Sequence, residues 1–133
     1  MKPNKATYAY LVILLILAIY LCTNIYINYR LSDIKLILFW SILGIIAESL
    51  LIAFPNIDVG VSVGSAINMA SILIGGPFLG VTVGILSFLF RCPNIANRGY
   101  THLFNTPYYI TVFNISQSAI VTSTMGLFYI KNG

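Results

Sequence analysis

The segment from Val61 to Phe90 sets the architecture of this chain, and it reads VSVGSAINMASILIGGPFLGVTVGILSFLF. A single straight helix of this length would measure about 45 Å, well beyond the roughly 30 Å of a hydrocarbon layer. Gly75-Gly76-Pro77 interrupts it, because proline lacks an N–H group and clashes with the preceding turn, and glycine weakens a helix. We therefore expect two short segments, Val61–Ile74 and Phe78–Phe90. Unwound backbone between them is tolerated at membrane depth only inside protein or beside a cavity.

Three longer apolar segments flank this stretch: Tyr8–Ile27, Leu36–Phe54 and Pro107–Ile130. A helix of 20 residues reaches about 30 Å, enough to cross a bilayer. The first segment is too long for the apolar core of a signal peptide and no small-residue cleavage site follows it, which indicates an uncleaved anchor. The sequence thus predicts an all-α, polytopic membrane helix bundle with about five transmembrane segments, the third and fourth of them short, in one domain over residues 1–133.

The composition supports a bilayer as the solvent of this chain. Of its 133 residues, 59% are hydrophobic and 8% are charged, and the mean hydropathy is +0.92. Ordinary soluble domains have roughly 45–50% apolar and about 25% charged residues. This excludes a soluble enzyme, a nucleic-acid-binding domain and a disordered chain. The net charge of +4 comes from basic residues scattered singly along the chain, which is not the pattern of a nucleic-acid surface.

The basic residues only weakly orient the predicted bundle. With five spans and the N-terminus inside, four basic residues are cytoplasmic and three are outside. The first set is Lys2, Lys5, Arg91 and Arg98, and the second is Arg30, Lys35 and Lys131. The chain then stops at Gly133, where we expect the entry to a further turn. The sequence therefore predicts a multi-pass protein of the cell membrane, and residues 1–133 are expected to be part of a longer one.

Two glycine ladders predict close helix packing. Gly76, Gly80 and Gly84 are spaced by four residues, and so are Gly60 and Gly64. Residues four apart share a helix face, and small residues there let a second helix approach closely. The ladders are typical of ordinary packing within a membrane bundle. They also leave open a homo-oligomer that forms through the glycine faces.

Glu48 is the acid inside the second apolar segment. A charge at the middle of a membrane costs roughly 2.5–3.5 kcal/mol on insertion scales, so its side chain should face the bundle interior, become protonated or find a partner. Ser65, Asn68 and Gln117 are the candidate partners. An intramembrane acid is by default a candidate functional residue, although Glu48 could also lie near an interface and reach water.

The middle of the last segment is polar. Asn114, Gln117 and Ser118, with Thr122 one turn further on, share one side of a helix, and Asn68 and Ser71 could complete a small polar pocket. Two interpretations stay open: these side chains hydrogen-bond between helices, or they contact a ligand. We predict a ligand site that contains Glu48, Asn68, Asn114 and Gln117.

The remaining reactive groups are few. Arg91, Arg98 and His102 share a polar loop, which is either a solvated membrane flank or a site for an anionic lipid headgroup or a carboxylate. Cys22 and Cys92 do not form a disulfide framework or a metal spacing. The sequence contains no catalytic constellation, nucleotide fingerprint or metal motif, so we expect neither enzymatic activity nor a cofactor.

Three short runs carry a family resemblance. They are Phe54-Pro55, the stretch from Val61 through Asn68 to Pro77, and Val112-Phe113-Asn114-Ile115-Ser116-Gln117. Over about Phe54 to Tyr129 the chain resembles the N-terminal membrane region of bacterial HD-GYP and related cyclic-di-GMP signalling proteins. The resemblance implies a module of about six spans ahead of a cytoplasmic phosphodiesterase. The His-Asp and Gly-Tyr-Pro motifs of that catalytic domain are absent here.

A second resemblance rests on the region from Ser62 to Phe90, in which a Gly-Pro break precedes glycines at four-residue spacing. This region is similar to the S-components of energy-coupling-factor vitamin transporters, small membrane proteins that bind a vitamin in a pocket. The first expectation is thus a sensor or anchor module in the bacterial cytoplasmic membrane, and the alternative is a vitamin-binding transporter subunit. The expected partners are the lipid bilayer and a small-molecule ligand, with no nucleic acid.

Overall fold

The computed structural model describes residues 2–30, 33–50, 52–53, 60–95 and 99–132, which form four helices and two short strand pairs. The helices are α1 (Lys5–Asn28), α2 (Ile34–Ser49), α3 (Gly64–Phe90) and α4 (Tyr108–Asn132). The strands are β1 (Ile52–Ala53), β2 (Gly60–Val61), β3 (Asn94–Ile95) and β4 (Gly99–Tyr100), and each consecutive pair is antiparallel. The described part of the chain is therefore predominantly helical, as the sequence predicts.

Helix α1 begins at an Asn4 cap, whose side chain accepts a hydrogen bond from the Thr7 backbone N–H at 2.8 Å. Its buried residues, Leu11, Ala18 and Ile25, recur every seven residues. They form one narrow stripe, and the rest of this apolar helix is largely exposed. The first predicted segment is confirmed, with slightly longer bounds.

Helix α2 ends earlier than the sequence predicts. We expected the second segment to continue to Phe54, but the helix stops at Ser49 and the chain enters β1, where Ile52 pairs with Val61. At 16 residues, α2 measures about 24 Å and is shorter than a hydrocarbon layer. In the sequence, Pro55, Asn56, Asp58 and Gly60 mark a turn. The first three lie outside the described residues, and Gly60 lies in β2.

Helix α3 doubles back on itself at Gly76, which has φ +78° and ψ −171° inside an otherwise helical segment. Ile72 lies against Gly80, a contact that a straight helix forbids because residues eight apart are about 12 Å apart along its axis. Glu48 contacts both Gly64 at the start of α3 and Arg91 just after its end. The break predicted at Gly75-Gly76-Pro77 is confirmed, and both ends of α3 meet at what we call the Glu48 end of the bundle.

The predicted number of about five transmembrane segments is not supported. By length and composition alone, α1 and α3 are the two helices in the described ranges that could cross a membrane. The third and fourth predicted segments are the two arms of the single folded helix α3. Each arm is short, about 18–21 Å, because the chain reverses at Gly76.

The four helices form one bundle in which α3 packs mainly against α2 and α4, and α1 packs against α4. Helices α1 and α4 run in the same direction. Their first turns meet through the hydroxyl groups of Tyr8 and Tyr108, 2.7 Å apart. Further along, the ring of Tyr26 lies 5.9 Å from that of Phe78, beside the reversal of α3. The last predicted segment is helical, as α4, but α4 is not among the described helices that are long and apolar enough to cross a membrane.

Candidate functional site

A cavity of about 290 Å³ lies between the C-terminal end of α2, the first arm of α3 and the middle of α4. All four residues of the predicted ligand site, Glu48, Asn68, Asn114 and Gln117, line it. The other lining residues are Ser62, Ser65, Met69, Ile72, Phe88, Ser118, Val121, Thr122 and Met125. The structure therefore brings together residues that are up to 69 positions apart in the sequence, from Glu48 to Gln117.

Glu48 is the charged group among the described residues that line this cavity, and its side chain is buried at 4% exposure. Ser62 Oγ donates a hydrogen bond to Glu48 Oε2 at 2.9 Å. The carboxylate also lies directly against Gly64, the first residue of α3, with Glu48 Cγ 2.8 Å from where a Cβ would be. The partial positive charge at a helix N-terminus favours an anion in this place.

Arg91 supplies the opposite charge from just beyond α3. Its guanidinium nitrogen lies 3.9 Å from Glu48 Oε2, too long for a direct hydrogen bond, and its carbon lies 4.8 Å from the centre of the Phe88 ring. Burial lowers the pKa of Arg91, and the Glu48 carboxylate opposes that shift. The guanidinium of arginine stays charged in proteins. The sequence predicted that Glu48 needs a partner, but its candidates were Ser65, Asn68 and Gln117.

Two buried polar atoms of residues in the cavity wall have no hydrogen-bond partner within the part of the chain that the structure describes. They are Asn68 Oδ1, on a residue with 9% exposure, and Ser118 Oγ, on a residue with 7% exposure. A buried polar group left unpaired costs about 1–3 kcal/mol, so such groups are usually satisfied by protein, water or ligand. Both oxygens are themselves buried, and Ser118 Oγ lies beside Gly84 of α3.

A polar side chain of α4 can line the cavity and still direct its hydrogen bond to the backbone of its own helix. Thr122 lines the cavity, but its hydroxyl donates to the Ser118 carbonyl at 2.6 Å. Ser71 was a candidate member of the pocket, yet it is fully buried elsewhere and donates to the Asn68 carbonyl at 2.7 Å. The described hydrogen bonds of these two hydroxyls run within their own helices. They do not support the interpretation of Thr122 and Ser71 as links between helices.

A second cavity of about 240 Å³ adjoins the first and shares Phe88 and Asn114 with it. Arg91 and His102 both line this second cavity, beneath the loop that joins α3 to α4. The third member of the predicted basic cluster, Arg98, lies outside the described residues. Arg91 thus stands between two cavities, with its charge toward Glu48 on one side.

The glycine ladders do not form the continuous faces that their spacing predicts. Gly60 lies in β2, so it does not share a helix face with Gly64, and Gly76 leaves the helical conformation altogether. Gly80 faces Ile72 in the other arm of α3, whereas Gly84 faces Ser118 and Thr122 of α4. These contacts are all within the chain. A homo-oligomer through the glycine faces stays a prediction.

Sequence reasoning missed two further glycines that set helix distances. A Cβ on Gly44 would collide with Ser87, between α2 and α3. A Cβ on Gly126 would lie 2.7 Å from Pro77 Cβ and 2.8 Å from Pro77 Cα, between α4 and the reversal of α3. Each is an isolated glycine in its helix, so no repeated spacing marked it. The only signal in the sequence was that both glycines lie inside predicted transmembrane segments.

Comparisons with known proteins leave the site to be judged on its geometry. Neither a scan against protein-family models nor searches of curated proteins and solved structures found a match to this chain. Both family resemblances stay predictions that rest on the quoted residues. Within the described ranges, no group of three or more His, Cys, Asp or Glu side chains could hold a metal ion.

Proposed function

We propose that this chain is a membrane-embedded ligand-binding module, the sensor or anchor part of a bacterial signalling protein in the cytoplasmic membrane. The observation that carries the proposal is the cavity of about 290 Å³ that is lined by Glu48, Asn68, Asn114 and Gln117. Ligand sites are typically concave and mostly apolar with a few placed polar groups, and this cavity has that composition.

The proposed signal is a change in the packing of α3 against α4. Gly84 sits against Ser118 and Thr122, and those two α4 residues also line the cavity. An occupant that contacts both helices would favour one spacing between them over another. A ligand shifts such an equilibrium only by the difference in its affinity for the two states. The resulting movement of α4 would pass to an output domain of the cyclic-di-GMP phosphodiesterase type.

The test is a comparison of small molecules that co-purify with two variants. Val121 and Val12 are both exposed valines on apolar helices, but only Val121 lines the cavity. Val121→Trp should fill the mouth of the cavity, so protein extracted in mild detergent should lose a small molecule that the unaltered chain carries. Val12→Trp, the control, should retain it. The same small-molecule content in the unaltered chain and in Val121→Trp would contradict the proposal.

A transporter subunit of the S-component type is the alternative, since such a protein would also present a binding cavity between helices. The two functions differ in the partner subunit or output domain that each requires. Co-purification with an ATPase or coupling subunit would favour vitamin uptake. An HD-type phosphodiesterase domain encoded in the same reading frame would favour signalling, and Glu48→Gln should then insert normally but alter the phosphodiesterase output.

A further inference from the structure

We infer that the cavity between α2, α3 and α4 binds a small organic cation, an ammonium or similar N–H donor carried on an apolar body. This inference rests on the proposed function, because it names the ligand class of the same cavity. It starts from the charge of the wall. Glu48 gives the described lining residues a single negative charge and no positive one.

Arg91 does not remove the preference of the cavity for a cation. Its guanidinium approaches Glu48 Oε2 from the neighbouring cavity, at a distance beyond hydrogen bonding, and stacks on Phe88. Ser62 is the hydroxyl that donates to the same oxygen. A carboxylate can accept about four hydrogen bonds, so Glu48 retains acceptor capacity for a donor from the cavity.

The oxygens of the cavity-lining residues indicate whether a ligand would bring hydrogen-bond donors or acceptors. Asn68 Oδ1 can only accept, and Ser118 Oγ accepts as readily as it donates. Glu48 as a carboxylate only accepts, so a ligand that contacts it must bring a hydrogen-bond donor. An ammonium supplies three and carries the charge that a buried carboxylate favours. A carboxylate ligand would instead place its charge against Glu48 and its acceptors against Asn68.

The volume of the cavity and its apolar lining residues indicate the size and polarity of the rest of the ligand. One water needs on the order of 10–15 Å³ of such space, so a cavity of about 290 Å³ holds a molecule rather than a bare ion. Met69, Ile72 and Met125 supply an apolar surface that adapts to shape. Ser65, Met69, Gln117 and Val121 are exposed, so the mouth opens between the first arm of α3 and α4.

Three probes with one apolar body test the charge of the ligand: phenethylammonium, 2-phenylethanol and 3-phenylpropanoate. Each is titrated by calorimetry into the full chain in mild detergent. We expect phenethylammonium to bind about tenfold or more tightly than the alcohol, because hydrogen bonds to charged groups are the stronger ones. We expect no binding of 3-phenylpropanoate. Tighter binding of the alcohol or of the anion would overturn the inference.

Two acidic positions provide a matched pair of variants. Glu48→Gln should reduce phenethylammonium affinity to that of the alcohol. Asp33→Asn removes the same charge at the exposed start of α2, where Asp33 caps the helix and Asn caps equally well, so it should leave affinity unchanged. If Glu48→Gln does not fold, Asn68→Leu should lower the ammonium affinity by about threefold to tenfold through its lost acceptor.

The outcomes separate this inference from the proposed function. Equal ammonium binding by the unaltered chain and Glu48→Gln would overturn the cation assignment, and so would the absence of binding by all three probes. Neither result touches the co-purification experiment with Val121→Trp and Val12→Trp, which tests whether the cavity is occupied at all. A co-purified molecule that proves to be an anion would overturn the inference and still support the ligand-binding module.

Discussion

At the scale of single residues, the bundle tolerates a buried carboxylate because three features converge on it. Glu48 receives a hydrogen bond from Ser62, lies at the N-terminal end of α3 beside Gly64, and has Arg91 as a counter-charge. Helix α3 begins at Gly64, and the preceding residue, Val63, makes no side-chain cap hydrogen bond. A carboxylate from another helix thus occupies the place where a capping residue normally acts.

Gly64 makes this arrangement possible, and Gly64→Ala should disrupt it. The added Cβ would collide with the Glu48 side chain as far back as its Cγ, so the carboxylate would have to shift away from its hydrogen bond with Ser62. Overpacking of this kind costs about 1–3 kcal/mol, and we expect a loss of this size in the free energy of unfolding in detergent. Ser65→Ala, one position further along and exposed, serves as the control and should change stability by about 0.5 kcal/mol or less. Equal stability of the two variants would contradict the contact.

Glu48 and Arg91 should show energetic coupling in a double-mutant cycle. Glu48→Gln and Arg91→Met each leave one partner of the pair without its counter-charge, and methionine retains an apolar stem for packing on Phe88. We expect the double variant to be less destabilised than the sum of the single variants, with a coupling of about 1 kcal/mol at this long separation. Additive losses in unfolding free energy would show that the two charges act independently.

The sequence predicted the members of the site better than their partners. Glu48, Asn68, Asn114 and Gln117 were recognisable because polar groups inside apolar segments must face an interior. Arg91 and Ser62 were not recognisable as neighbours of Glu48, since their positions depend on how far α3 returns toward its own start. That distance is a property of the folded chain, and no local spacing encodes it.

At the scale of elements, the reversal of α3 depends on one dipeptide. Gly76 adopts φ +78° and ψ −171°, a conformation that is essentially restricted to glycine, and Pro77 then begins the second arm with its φ already suited to a helix. Glycine after one helix and proline at the start of the next are the preferred residues for these positions. The break was therefore predictable, whereas the Gly60–Gly64 pair failed because strand pairing of Gly60 replaced the expected helix.

Gly76→Ala and Pro77→Ala should separate the backbone requirement from the proline. A Cβ at Gly76 meets nothing within 4 Å, so the cost of Gly76→Ala is backbone strain alone, about 1–3 kcal/mol in the free energy of unfolding. Pro77→Ala leaves Gly76 free to turn and should cost less. Ile74→Ala, at an exposed position in the same arm, controls for loss of a side chain. A larger loss for Pro77→Ala than for Gly76→Ala would contradict the assignment of the turn to Gly76.

At the scale of the whole molecule, the exposed apolar surface of helix α1 favours lipid over water as its surroundings. Its most apolar 18 residues have a mean hydropathy of 2.3, yet only 17% of these residues are buried. In water, exposed apolar area costs about 25 cal/mol per Å², and a single helix with this much exposed aliphatic surface would favour association or aggregation. The composition also favours a lipid environment, which stays a prediction. It could not predict that a 16-residue α2 and a folded α3 would occupy the rest of the bundle.

The two cysteines provide a direct test of this environment. Cys22 lies within α1, half-buried against the bundle, and Cys92 is exposed beyond the end of α3. If α1 crosses a membrane, Cys22 lies in or near the hydrocarbon, where a charged, water-soluble maleimide does not reach and a thiolate does not form. In sealed vesicles the Cys92→Ser variant should therefore stay unlabelled. The Cys22→Ser variant should be labelled at Cys92 from one side of the membrane.

Denaturation in SDS supplies the control, because both variants should then label fully. The side from which Cys92 reacts also fixes the orientation of the Glu48 end, where Lys2, Lys5 and Arg91 lie, relative to the other end, where Arg30, Lys35 and Lys131 lie. The positive-inside rule predicts a cytoplasmic Glu48 end only weakly from these charges. Labelling of Cys22 at the rate of Cys92 in intact vesicles would show that α1 is surrounded by water, and the membrane assignment of the whole bundle would fall with it.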